Sequence, residues 1–70
     1  MRSSDLKAVM AKHEDTQEKL AEYLGMQVSG LNARINGKIE FRRSEIDAIC
    51  SRYKLSAEEM MEIFFSKSVS

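Results

Sequence analysis

Seventy residues make one small domain, and eleven Lys and Arg against eleven Asp and Glu leave a formal charge of zero. One cysteine, Cys50, and one histidine, His13, allow no intrachain disulfide, nucleophile and base pair or metal-ligand spacing. No enzyme activity, cofactor or metal is therefore expected. No apolar run approaches a membrane span and the N-terminus lacks the apolar segment of a signal peptide, so a cytoplasmic protein without membrane contact is expected.

The absence of proline and the presence of only three glycines favour an all-α chain. The expected organisation is one domain over residues 4–65, a compact bundle of about five helices containing a helix-turn-helix, with 1–3 and 66–70 as flexible termini. A first helix is expected from Asp5 to His13. Ser4 would cap it, Asp5 would favour the positive end of its dipole, and Leu6, Val9 and Met10 would form its apolar stripe.

Residues 17–37 then read as two short helices joined by a tight corner. Leu20, Ala21 and Leu24 recur at helical spacing behind a Thr16 N-cap, and Gly25 can take the left-handed conformation that ends the first helix. Val28, Leu31 and Ile35 continue the pattern in a second helix from Gln27 to Asn36. So short a linker forbids antiparallel packing, and the two helices must cross steeply. Ala21 is small where they meet, and Met26 plugs the corner.

On a wheel of about 100° per residue, Leu31, Ile35 and Val28 share one side of the second helix. The other side carries Ser29, Asn32, Ala33 and Asn36, short and uncharged where a merely solvated face would favour Lys and Glu. Such a face suits close approach to base edges in a major groove, with Ser29 and Asn32 hydrogen-bonding and Ala33 meeting a thymine methyl. Gln27 is placed to cap the helix or contact DNA. Val28 is expected chiefly in the core or the turn, although its first-turn position also lies within reach of bases.

Lys38 to Arg42 alternates, so Ile39 and Phe41 are expected to anchor inward in a loop whose Lys38, Glu40 and Arg42 face out. Ile46, Ile49, Cys50 and Tyr53 return to helical spacing from about Arg43 to Tyr53, with Ser44 and Asp47 as a candidate capping box. Cys50 is expected to pack. Arg42 and Arg43 would stand at that helix's N-terminus, where backbone N–H groups also favour phosphate. Between Met26 and Ser44, Arg34, Lys38, Arg42 and Arg43 face only Glu40, so the neutral chain is polarised and binding to DNA should be salt-sensitive.

A second capping box, Ser56 to Glu59, opens a last helix through about Phe65, with Leu55 placed to staple back on Met60. Met60, Met61, Ile63, Phe64 and Phe65 give this helix more apolar surface than so small a core can cover.

The segment QEKLAEYLGMQVSGLNARINGK resembles the helix-turn-helix of the lambda repressor and Cro group of phage regulators. The resemblance rests on Gln17, Ala21, Gly25-Met26, Ser29-Gly30 and Asn36-Gly37-Lys38. It implies operator binding by a dimer, with Gln17 and Asn36 on phosphates and the start of the second helix on bases. One departure is Arg34, which stands where many members are apolar, the apolar position falling one later at Ile35. Arg34 thus has three possible destinations: a phosphate, a base or the rim of the interface. The resemblance also implies a dimer contact on the last helix, and the surplus of Met61, Phe64 and Phe65 agrees with it. A rival reading keeps the fold but makes it a protein-binding module, an antitoxin-like or anti-repressor-like partner of a second regulator. That reading has little use for the short polar face of Ser29, Asn32, Ala33 and Asn36.

Overall fold

The computed structural model describes residues 3–65, in which every regular element is helical. In chain order these are α1 (Ser3–Lys12), α2 (Gln17–Leu24), α3 (Val28–Ile35), α4 (Arg43–Tyr53) and α5 (Ala57–Met60), the last running directly into a π-helical turn, Met61–Phe65. Of the termini expected to be flexible, residues 1–2 and 66–70 lie outside the described residues, whereas Ser3 opens α1. Because α1 begins at Ser3, Ser4 is a helical residue and does not cap it. No helix among the described residues is long and apolar enough to cross a membrane.

The helix ends follow local chemistry. Thr16 caps α2, its hydroxyl accepting the Lys19 N–H at 3.2 Å. Gly25, at φ 71°, closes α2 by sending its N–H back to the carbonyls of Ala21 and Glu22. Ser56 and Glu59 form the expected reciprocal box on α5, with bonds of 3.1 and 2.9 Å. The capping of α4 differs from expectation. Arg42 is its N-cap residue and donates its backbone N–H to Glu45 at 2.8 Å, while Asp47 instead accepts from Arg43 at 3.2 Å. Ser44 and Asp47 therefore make no capping box. The spacing of three is the same and the helix starts at Arg43, as its periodicity predicts; only the carboxylate half of the box is made, since a guanidinium offers the Glu45 N–H no acceptor.

Among the described residues the largest fully buried side chains are Leu6, Leu20, Leu31, Ile35 and Ile49. Met10, Ala21, Ile46, Tyr53, Ile63 and Phe64 complete this core, and Val9, Leu24, Met26, Phe41, Cys50, Leu55 and Met60 lean on it. Ala21 is buried in α2, and Gly25, Met26 and Gln27 alone separate that helix from α3, which imposes the steep crossing. The wider π-helical turn brings successive side chains closer to one face, and Ile63 and Phe64 both enter the core there. Phe64 packs edge-on against Phe41 at 5.5 Å between ring centres.

Two apolar expectations are thereby corrected. Phe64 is only 8% exposed, so it belongs to this chain's core and not to a dimer surface; Met61 and Phe65 are the exposed pair. Ile39 is 47% exposed and does not anchor inward. The backbone after Gly37, at φ 82°, stays tight against α3: the N–H groups of Lys38 and Ile39 both donate to the Ala33 carbonyl, at 2.9 and 3.3 Å. Alternation begins only beyond this turn, where Phe41 reaches the core and Ile39 is left outside.

Candidate nucleic-acid interface

Leu31 and Ile35 seat α3 against the core, which turns its other side outward. Ser29, Asn32 and Asn36 are exposed there and Ala33 is half-buried. The Asn36 amide donates to the Asn32 side-chain oxygen at 3.4 Å, so the two amides lie along one ridge. The ridge carries no ionised side chain, and each of its members is short enough to let the helix approach a surface closely.

The first turn of α3 adds to it. Gln27 has extended backbone at φ −77°, ψ 154° and makes no side-chain cap, which leaves its amide free of that task. Val28 is 38% exposed, so the expected core role is corrected. On the wheel it lies about 60° from Leu31, but it begins the helix, with no preceding helical turn against which to pack. Gln17 is the first residue of α2 and is half-buried.

Lys38, Arg42 and Arg43 are all exposed, along the segment from the end of α3 into the first turn of α4. Arg43 and Asp47 pair with side chains 73% and 59% exposed, a contact that contributes little and yields readily to a phosphate. Arg34 stands apart from this group. Its guanidinium turns inward, Nε donating to Glu45 at 3.1 Å and Nη1 to the Gly30 carbonyl at 3.0 Å. Both side chains of the ion pair are only 15% exposed. Arg34 thus lies between α3 and α4, its Nε and Nη1 engaged within the chain.

The support beneath α2 and α4 was invisible in the sequence. Asp15, in the turn before α2, accepts from Arg52 Nε at 2.7 Å, Arg52 Nη2 at 3.2 Å and the Tyr53 hydroxyl at 2.6 Å, across 37 or 38 residues of chain. It also takes the Thr16 N–H at 2.9 Å. The hydrogen bond from Arg52 holds the Asp15 carboxyl well below the usual carboxylate range, against the opposing effect of burial, with Tyr53 and Thr16 adding to the depression. The same bond raises Arg52, and burial followed by the Asp15 contact raises Tyr53, keeping its hydroxyl a donor. Arg52 also lies 4.8 Å from the centre of the Tyr23 ring, and the His13 ring lies 5.0 Å from that of Tyr53, tilted by 36°. Cys50 is half-buried and burial pushes its thiol up, which suits packing and disfavours a thiolate.

A profile of the helix-turn-helix family matches residues 6–60, from within α1 to the last residue of α5. No curated protein and no solved structure matches the chain. The family match covers most of the chain and the motif residues fold as such a motif requires: α2 is closed by a left-handed Gly25, α3 is seated on Leu31 and Ile35, and the face between is turned to solvent. The chain belongs to the helix-turn-helix family and carries a motif of the lambda repressor and Cro type.

Proposed function

We propose that the protein is a transcriptional regulator of the phage repressor and Cro type that binds operator DNA as a homodimer in the cytoplasm. The family is one of DNA-binding regulatory domains rather than of enzymes, and the mechanism is steric. The observation that carries the reading is the outer face of α3, short and uncharged, followed along the chain by exposed Lys38, Arg42 and Arg43.

In this reading residues 27–36 enter the major groove. Gln27, Val28, Ser29, Asn32 and Ala33 contact base edges and methyl groups, while Gln17, Asn36, Lys38, Arg42 and Arg43 hold phosphates. Arg34 is left out of the contact set because its donors are engaged within the chain. Exposed Met61 and Phe65 bring two copies together so that their α3 helices occupy successive grooves, about one helical turn apart. Bound protein then blocks or recruits polymerase.

A titration against the DNA upstream of its own gene at several salt concentrations tests this. Affinity should fall with a log-log slope of about −0.9 per phosphate contact. Ser29→Glu should abolish discrimination between that DNA and a scrambled duplex while helical content stays intact. Equal affinity of the unaltered protein for both duplexes would overturn the reading. Exposed Ile39, Met61 and Phe65 favour, as a second reading, a protein-binding module whose partner is another regulator; that module would retain its partner after Ser29→Glu.

A further inference from the structure

The reading helix is short. Its two turns are seated by Leu31 and Ile35, and so narrow a stripe fixes the depth of a helix better than its rotation about its own axis. The flank beside the stripe carries a second fastening. Arg34 spans it, Nη1 on the Gly30 carbonyl and Nε on Glu45 Oε1. The same Glu45 oxygen accepts the Arg42 backbone N–H. A single atom thus joins the last turn of α3 to the start of α4.

Gly30 completes this clasp. Glycine is a poor helix former, and the backbone here has no positive φ to require it. A Cβ at this position would lie 3.3 Å from Arg34 Nη1. The missing side chain leaves room for the guanidinium to lie across the helix.

We infer that Arg34 and Glu45 are positioning residues that set the rotation of α3 relative to the N-terminus of α4. They thereby fix the register between Ser29, Asn32 and Ala33 on one side and Arg42 and Arg43 on the other. Their consequence for function rests on the DNA-binding reading above; the clasp itself does not. Base edges and phosphates stand in a fixed relation in a duplex, so specific binding requires both sets to fit together. Non-specific binding needs only the phosphate contacts and tolerates a rotated helix.

The test compares the unaltered protein with Glu45→Leu, Arg34→Gln and Gly30→Leu, the last leaving both charges but evicting the guanidinium. A preferred duplex is first selected from a random-sequence pool with the unaltered protein, and a scrambled duplex of equal composition serves as control. Each variant should lose roughly tenfold or more on the preferred duplex. On the scrambled duplex it should change by less than about threefold, with the salt slope unaltered. Equal losses on both duplexes, or no loss on either, would overturn the inference. In DNA-free protein, residual dipolar couplings should show α3 rotated by about 10° or more against α4, with α1 and α2 keeping their mutual orientation. An unmoved α3 in Glu45→Leu, which removes the shared acceptor at similar volume, would overturn it whatever the DNA result. If the unaltered protein enriches no duplex, the operator-binding reading fails and the couplings alone decide the clasp.

Discussion

Asp15 shows what one side chain can hold. Arg52, Tyr53 and Thr16 all donate to its carboxylate, whose side chain is 5% exposed. Asp15→Asn should therefore destabilise the fold by about 2 kcal/mol, measured by urea denaturation at neutral pH. The folded carboxyl titrates below its unfolded value, so its contribution is fully present above about pH 4 and is lost as pH falls through the folded value. Acid unfolding of Asp15→Asn should accordingly show a shallower dependence on pH than that of the unaltered chain. Nothing local marks Asp15 in the sequence, because its partners lie 37 and 38 residues away and an acid before a helix is common. Two other residues carry a cost at their own positions: Glu14 at φ 52° and Lys54 at φ 54° adopt the left-handed conformation without being glycine. Lys54→Gly should raise stability by about 0.5 to 1 kcal/mol in the same assay.

Elements were legible in proportion to how local their causes are. The bounds of α4 and the caps of α2 and α5 follow from periodicity and from acceptors within three residues, and the sequence carries all of that. The cap of α4 was misread because Ser44 is the better capping residue by type. The structure instead uses the Arg42 backbone, whose partner Glu45 also holds Arg34 on another helix. A carboxylate shared between helices leaves no mark at any one spacing. The same limit hid the inward turn of Arg34 and the exposure of Ile39 beyond the Gly37 turn. At this scale Ser56→Ala should cost about 1 kcal/mol, seen as a lower melting temperature, because the Glu59 N–H loses its acceptor. Arg42→Ala with Arg43→Ala should weaken binding to specific and scrambled duplexes alike and flatten the salt slope by about 1 per residue.

For the molecule as a whole, the division between Phe64 and Phe65 separates folding from assembly. Phe64→Ala should cost about 3 kcal/mol by emptying a core site next to Phe41. Phe65→Ser should leave stability nearly unchanged and, on the dimer proposal, give a monomer in sedimentation equilibrium where the unaltered chain associates. Neighbouring phenylalanines with opposite fates were beyond the reach of helical periodicity, because the π-helical turn shifts the register at that point.

α4 is fastened at both ends, through Glu45 to α3 and through Arg52 and Tyr53 to the turn before α2. The motif is therefore preorganised before it meets a ligand, and the entropy of ordering it is already spent on folding. Calorimetry of duplex binding should then report a small heat-capacity change, one that scales with the contact area alone and lacks the larger signature of folding coupled to association.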